Sequence, residues 1–315
     1  MNFIRHTILP LLAAFIWGTA FVSQVQGSER LDAFSFNMAR SVVASLFLFL
    51  VALGVRIVRK QNAVRKGVYV PPTPAQKKAS LRALAVSGVI CGTMLTVAAN
   101  LQQAGIALSG AGKSGFITAL YVVLVPMLGI FLKKRVPARV WVSVLLAVIG
   151  LYLLSIKAGE YTVSRGDFLL ILCALAFSFQ IMTIDRYSEL VNGIELSCAQ
   201  FIVVSIESGI LMLLFSDVSW ADFAAVMGPI LYAGILSSGV AYTLQIISQK
   251  GANPTLVSLI MSLESVFAVV SGALILHERL TGREYLGCVV MFAAVVLSQV
   301  PIEKMVRKDY NRKED

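Results

Sequence analysis

The 315-residue chain is 57% hydrophobic and only 14% charged, with a mean hydropathy of +0.81. A globule of this length cannot bury so large an apolar fraction, so the composition predicts a protein that spans a lipid bilayer. The net charge of +10 does not indicate a nucleic-acid-binding protein, because the basic residues lie in short segments between apolar stretches, where they act as topology signals.

Ten apolar stretches follow one another, and each is about as long as a helix that crosses a hydrocarbon core roughly 30 Å thick. None shows the alternating pattern of a membrane barrel strand. The sequence therefore predicts an all-α integral membrane protein with ten transmembrane helices. The predicted spans are 7–25, 34–56, 83–103, 112–132, 138–156, 166–185, 194–215, 224–246, 253–276 and 283–301. The basic segment 56–82, which contains Pro71-Pro72-Thr73-Pro74, is predicted to be a solvated linker.

The lysines and arginines are distributed unevenly between the two sides of this arrangement. Of the 27, twenty fall in segments on the side of the N-terminus and six on the other side, while Arg40 lies inside a span. The positive-inside rule therefore predicts that both termini are cytoplasmic.

The second half of the chain repeats the layout of the first. The segment FLKKRVP at 131–137 aligns with LHERLTG at 276–282, and the apolar helices that follow the two segments coincide. We therefore predict one five-helix repeat over 1–156, a second over 164–301 and a charged cytoplasmic tail over 302–315. Because five is an odd number, the second repeat enters the membrane from the opposite side, which is the inverted repeat of many secondary transporters.

One difference between the repeats is expected in the middle of the fourth helix. Pro126 lies well inside this span and removes the hydrogen bond to Val122, which predicts a bend. The corresponding stretch of the ninth helix, around Val270, has no proline and imposes no bend. We therefore expect the two helices to differ at this point.

Several motifs resemble those of a known family. They are AFIWGTAF at 14–21, FNMAR at 36–40, SGAGKSGFIT at 109–118, SLESVFA at 262–268 and HERLT at 277–281. Together they resemble the drug/metabolite transporter superfamily in its EamA-type branch, over about 1–301. The resemblance implies a ten-helix carrier of the inner membrane that moves small organic solutes, often outward. Ser265 departs from the proline that many members carry, so the ninth helix is expected to be straighter.

Three ionisable residues in the motifs are candidate substrate-binding groups, since charges within spans are costly and need a reason. Arg40 either binds an anion in a central cavity, forms a structural ion pair, or extends to the headgroups. Lys113, among Gly110, Gly112 and Gly115, either contacts the solute or a gate, or extends to the headgroups. Glu264 either couples a proton to transport or is neutral or paired with Arg40.

Uncharged polar and aromatic residues within the spans complete the predicted substrate-binding set. Each amide among them has the alternative role of joining one helix to another. The candidates are Trp17, Asn37, Asn100, Gln103, Tyr121, Tyr242 and Gln245. Gly88 and Gly92 form a GxxxG pair that predicts close helix packing and is weak evidence for dimerisation, so we expect a monomer or a weak dimer.

The predicted function is a secondary transporter that works by alternating access on small organic solutes, with export favoured. Arg40 and Lys113 favour an anionic group on the solute and Glu264 a cationic one, which ranks amino acids first, metabolite anions second and lipophilic cations third. The alternatives are a multidrug or organic-cation efflux carrier and a polytopic membrane enzyme. With two histidines and no catalytic cluster, no enzyme activity, cofactor or metal is expected. The expected partners are the solute, the lipid bilayer and a proton as coupling ion, but no nucleic acid.

Overall fold

The computed structural model describes residues 3–133, 136–155, 164–275 and 281–299, and all regular secondary structure in these residues is helical. We number ten helices in chain order and leave the short helix Trp220–Ala225 unnumbered. They are α1 (Ile4–Ser28), α2 (Ala33–Arg65), α3 (Pro74–Ser109), α4 (Ala111–Phe131), α5 (Ala138–Ser155), α6 (Arg165–Tyr187), α7 (Gly193–Phe215), α8 (Met227–Gln249), α9 (Pro254–Ile275) and α10 (Gly282–Gln299).

The all-helical membrane fold predicted from the sequence is confirmed. Eight of these described helices, all but α5 and α10, are long and apolar enough to cross a membrane. Helix α5 adds a shorter apolar stretch, Val140–Leu154. The tail predicted over 302–315 and most of the loop 276–282 lie outside the described residues.

The linker predicted over 56–82 is wrong in extent, because α2 continues to Arg65 and α3 already begins at Pro74. The start of α3 has strong local signals. The Thr73 side chain accepts from the backbone of Gln76, the Gln76 side chain accepts from the backbone of Thr73, and Pro74 occupies the first helical position. Both helices therefore extend beyond their apolar spans, and only 66–73 connects them.

The packing of the helices is symmetric between the two halves of the chain. The main packed pairs each have an equivalent pair when α1–α5 are replaced by their counterparts α6–α10 and the reverse. Helix α2 packs on α7, and α5 on α10, so each lies against its own counterpart. Helix α3 packs on α6 and α7, and α8 packs correspondingly on α1 and α2. Close approach on α3 depends on Gly88 and Gly92, where an added Cβ would lie 2.6 Å from the Cβ atoms of Ala199 and Val203. The GxxxG pair therefore serves a contact within the chain.

The two ends of the bundle are called here the N-terminal face and the distal face. Helix α1 begins at the N-terminal face, where Arg5 Nε donates to the carbonyl of Ile247 over 2.8 Å at the end of α8. Arg56 at the membrane exit of α2 pairs over 2.8 Å with Glu195 at the start of α7 on the same face. These contacts are those expected when consecutive helices cross the bundle in alternating directions.

Three helices are irregular at mid-length. Helix α4 is interrupted at Leu120, and α9 at Ser262 and Leu263. Helix α8 contains a π-helical segment, Ala233–Ala241. The two halves of α9 pack reciprocally on the two halves of α4, so the helices cross near their interruptions.

Both helices are interrupted at mid-length, and the difference predicted at Pro126 stays a prediction. Pro126 lies within the helical segment Tyr121–Phe131, and the interruption of α4 comes six residues earlier. Helix α9 is interrupted at Ser262 and Leu263 without any proline there, and the effect of Ser265 on its straightness stays a prediction. The Ser265 hydroxyl donates to the carbonyl of Gly115 over 2.9 Å, which joins the two helices beside their interruptions. Contacts between α4 and α9 thus lie beside the interruptions of both helices. No single residue at these positions predicts an interruption from the sequence.

Candidate functional site: a central polar cavity

A cavity lies in the centre of the bundle, among seven of the described helices. Helices α1, α2, α3, α4, α6, α8 and α9 contribute to it, whereas α5, α7 and α10 do not. Six residues proposed from the sequence line it: Trp17, Arg40, Tyr121, Tyr242, Gln245 and Glu264. The cavity therefore brings together residues from both halves of the chain.

The volume of the cavity accessible to water is about 30 Å³. A buried water needs roughly 10–15 Å³ by this measure, so the cavity has room for a few waters and not for an amino acid. Solute-sized space at this place requires movement of the lining helices or side chains.

Glu264 lies at the point where α4 and α9 cross. It is the first residue of the second half of α9, and Tyr121 is the first residue of the second half of α4. The Tyr121 hydroxyl donates to Glu264 Oε1 over 3.1 Å. A carboxylate is favoured in the first turn of a helix, where the peptide dipoles present positive charge. The interruption of α9 thus creates a helix start in the bundle interior and places an acid at it.

Arg40 is only 3% exposed and has no hydrogen-bond or ion-pair partner among the described residues. Its guanidinium carbon lies 5.9 Å from the centroid of the Phe36 ring, one turn away on the same helix. The structural ion pair with Glu264, one alternative left open by the sequence, is not formed. The cavity is therefore lined by one base and one acid that do not neutralise each other.

The aromatic part of the cavity is fixed by the π-helical segment of α8. Trp17 Nε1 donates to the carbonyl of Ser237 within this segment over 3.3 Å. The Trp17 ring meets that of Tyr242 edge-on at 4.8 Å between centroids, and Tyr242 meets Phe201 in the same way at 5.3 Å. π-Helical segments often occur at functional sites because they redirect side chains and carbonyls.

Comparison with known proteins supports the membrane fold. A sequence model described as the EamA-like transporter family matches residues 6–156 and again residues 164–299. The chain belongs to the EamA-like transporter family. An uncharacterized transporter of Archaeoglobus fulgidus is 29% identical over 287 residues, which cover 91% of this chain and 83% of the relative.

A more distant relative agrees with this family membership, and a solved structure agrees with the fold. An uncharacterized transporter of Synechocystis is 21% identical, with 93% of this chain and 89% of the relative covered. A solved crystal structure has the same fold, with a TM-score of 0.72 at 15% identity, over 95% of this chain and 98% of the other. The protein is therefore a multi-pass membrane transporter.

Three amides proposed as site residues of this EamA-like transporter do not line the cavity. Asn37 donates to the carbonyl of Ala99 and to Asn100 Oδ1, both over 3.0 Å, which joins α2 to α3. Asn100 donates in turn to Ser208 of α7 over 3.0 Å. Gln103 donates to the carbonyl of Gln24 over 2.9 Å, which joins α3 to α1. These contacts are the helix-to-helix bonds that the sequence left open as the alternative.

Lys113 also lies apart from the cavity. Its ammonium donates to Asp167 Oδ2 over 2.7 Å, and the Lys113 side chain is 27% exposed. Asp167 is held at the start of α6, because it also accepts from the hydroxyl of Ser109 and from the backbone of Ser164. The pair joins α4 to α6 at the distal face, where Lys113 does not meet Arg40.

The sequence analysis did not identify several lining residues of the EamA-like transporter. The polar ones are Gln24, Gln102, Thr118 and Ser237, and the apolar ones are Phe21, Phe177, Ile181 and Met261. Glutamine within an apolar span was an available signal for Gln24 and Gln102. Gln180 adds a polar contact behind the wall, because Gln245 Nε2 donates to its Oε1 over 3.3 Å. The apolar lining residues carry no such signal, since they match the rest of the spans.

Proposed function

We propose that this EamA-like transporter moves small zwitterionic metabolites, with amino acids ranked first, by alternating access. The observation that carries the proposal is that Arg40 and Glu264 line the same cavity without pairing with each other. A solute with one carboxylate and one ammonium group can partner both, so the unfavourable burial of each charge is offset only when solute is bound.

Two features support alternating access. The helix pairs are preserved on exchange of the two halves, and the family model matches the chain in two successive stretches. Two such units with opposite orientation can reach two states of similar energy, which open the central site to opposite sides. The small cavity fits an intermediate in which the site is closed around little more than water.

A proton is the proposed coupling ion, and Glu264 is its proposed carrier. The groups that surround this carboxyl in the cavity are Tyr121, which donates to it, Tyr242 and the unpaired Arg40. An ionised carboxyl in a poorly hydrated site needs a positively charged partner, and either a proton or the solute ammonium can supply that charge. Binding of the solute ammonium favours the ionised form, so solute and proton are expected to exclude each other and to move in opposite directions.

The proposed location is the cell inner membrane, with both termini cytoplasmic and net flux outward. The N-terminal face then lies in the cytoplasm and the Lys113–Asp167 pair on the outer side. Reporter fusions after Arg65 and after the C-terminus should report cytoplasm, and a fusion after Asp217 should report the outside. A C-terminus on the outside would contradict the ten-helix topology.

The solute proposal is tested with matched analogues in vesicles that contain the purified protein. Each amino acid is compared with its decarboxylated amine and with its deaminated acid, which share one side chain. We expect exchange flux for the zwitterion to exceed that for either analogue by at least about tenfold, because each lost charge-assisted hydrogen bond weakens binding by roughly 1.5–3 kcal/mol.

Substitutions then assign each charge to its partner. We expect R40Q to abolish the preference of the transporter for the zwitterion over the amine, and E264Q to abolish its preference over the acid. If no zwitterion is exchanged, or if neither variant changes these preferences, the proposal is wrong.

Organic cations are the second candidate, favoured by the aromatic residues Trp17, Tyr242 and Phe177 beside Glu264. Arg40 opposes them, because a lone cation would be repelled in the same small cavity. The amine analogues decide between the two candidates. An amine that is carried better than its parent amino acid would favour the cation carrier.

A further inference from the structure

A second cavity of the molecule shares no lining residue with the central one. It is a groove on the N-terminal face between the start of α3 and the end of α6. Its volume accessible to water is about 620 Å³, against about 30 Å³ for the central cavity. The α3 side carries Lys78, Arg82 and the small residues Ala79 and Ala83, and the α6 side carries Tyr187. The groove is therefore lined largely by apolar surface, with two cations one helical turn apart.

The groove crosses the boundary between headgroups and hydrocarbon. Arg82 directly precedes the apolar part of α3, which the sequence places at 83–103, and Lys78 lies one turn further out. Val86 and Ser87 line the groove one turn inside this boundary. Long basic side chains at this level reach the headgroup phosphates of a bilayer. The cations thus lie at headgroup depth and the apolar lining continues into the hydrocarbon.

The polar groups in the groove lack partners among the described residues. Neither of the two ion pairs found among the described residues includes Lys78 or Arg82. The Ser87 hydroxyl is buried, at 1% exposure, and has no hydrogen bond. Glu189 follows α6 but lines a different depression, together with Ser80 on another side of α3. The charge that lines the groove is therefore wholly positive.

We propose that this groove binds a phospholipid with an anionic headgroup. The phosphate contacts Lys78 and Arg82, and an acyl chain follows Ala79, Ala83 and Val86 into the membrane. An amphiphile satisfies both parts of the groove, because the small side chains leave room for a chain beneath the cations. Basic pockets between membrane helices are suited to this chemistry. The proposal concerns a site apart from the central cavity and does not depend on the solute.

The test counts lipids bound to the purified full-length protein in detergent by native mass spectrometry. Phosphatidylglycerol is titrated against phosphatidylcholine with identical chains, and glycerophosphoglycerol serves as the headgroup without chains. The unaltered protein is expected to bind phosphatidylglycerol at least about tenfold more tightly than phosphatidylcholine. Each cation near the surface contributes about fivefold, so K78Q/R82Q is expected to weaken phosphatidylglycerol binding about thirtyfold.

Matched controls separate the groove from general positive charge. R65Q/K66Q removes the same two residue types near the 66–73 connection, outside the groove, and is expected to leave the affinity unchanged. A79L/A83L fills the groove without changing charge and should weaken binding at least about tenfold. A85L, at an exposed alanine that does not line the groove, should not.

Three results would overturn the proposal: equal losses in K78Q/R82Q and R65Q/K66Q, equal affinity for the two lipids, or binding of the chain-free headgroup as tightly as the lipid. Folding of each variant is followed by helical circular dichroism and by elution as a single species. If the double variants fail to fold, the lipid preference of the unaltered protein and its A85L control decides the question alone.

Discussion

Replacing Arg40 with methionine is expected to lower zwitterion transport about tenfold to a hundredfold and at the same time to stabilise the protein. A buried polar group without a hydrogen bond costs about 1–3 kcal/mol, and Arg40 Nε is such a group among the described residues. The opposing contact with the Phe36 ring, at 5.9 Å, lies near the limit of the cation–π range and contributes about 0.5 kcal/mol. The net gain for R40M is therefore about 0.5–2.5 kcal/mol of unfolding free energy, because methionine fills much of the same space with no charge.

Two measurements test the prediction. In a chain of this size about 1 kcal/mol corresponds to about 2 °C in Tm, so R40M should raise Tm by about 1–5 °C. Zwitterion flux should fall about tenfold to a hundredfold, because the solute carboxylate loses a charge-assisted hydrogen bond. The matched control is R56M, at a side chain that is 71% exposed and paired with Glu195 at the surface. It should change stability by less than about 1 kcal/mol and leave flux unchanged.

The combination of results decides between a functional and a structural role for Arg40. A fall in Tm together with lost flux would show that the arginine holds helices together. Normal flux in R40M would refute the reasoning outright, whatever its effect on Tm.

Three further predictions concern single contacts. Y121F removes the 3.1 Å hydrogen bond to Glu264 and should lower flux about tenfold, with little further loss in Y121F/E264Q. The control Y285F, at an exposed tyrosine, should transport normally. Additive losses in the double variant would contradict a shared role for Tyr121 and Glu264. K113Q should leave the discrimination between zwitterion and amine unchanged, because Lys113 lies outside the cavity. K113Q and D167N should each lower Tm in thermal unfolding, and the double variant should show no further loss of Tm. G18A should destabilise the protein by about 1–3 kcal/mol, because its Cβ would lie 2.4 Å from Phe267 Cβ and 2.7 Å from the carbonyl oxygen of Glu264. The control G54A should leave stability unchanged, because no atom lies within 4 Å of the added Cβ. Equal Tm values for the two variants would show that α1 and α9 can separate freely.

Local features of the sequence were sufficient for the membrane fold. The length and hydropathy of a span depend only on consecutive residues, so most helix positions agree with prediction to within a few residues. Helix starts were likewise encoded locally, as at Thr73 and Pro74. The linker prediction failed because the proline cluster and the lack of hydrophobic periodicity were taken to mean absence of helix throughout the segment. Arginine and lysine are good helix formers outside the membrane, so both flanking helices continue into it.

The tertiary structure alone decided which polar residues meet. Lys113 and Asp167 are 54 positions apart, and nothing in either segment indicates the other. Arg40 and Glu264 share a cavity without pairing, which depends on how seven helices pack around it. Asn37, Asn100 and Gln103 resemble Gln245 in the sequence, but their helices turn them toward neighbouring helices.

The interruptions of α4 and α9 likewise could not be predicted from the local sequence. Leu120 and Leu263 are ordinary helix formers, and the one proline in these spans that attracted a prediction lies within an unbroken segment. A helix can give up backbone hydrogen bonds in a membrane only where neighbouring protein replaces them. Contacts such as Ser265 to the Gly115 carbonyl and Tyr121 to Glu264 join the two helices at this point. The apolar pattern of consecutive residues thus determined where the helices run. Packing between distant helices determined where they break and which charges the breaks expose. The physical reason is that contacts between distant helices join residues that no local pattern connects.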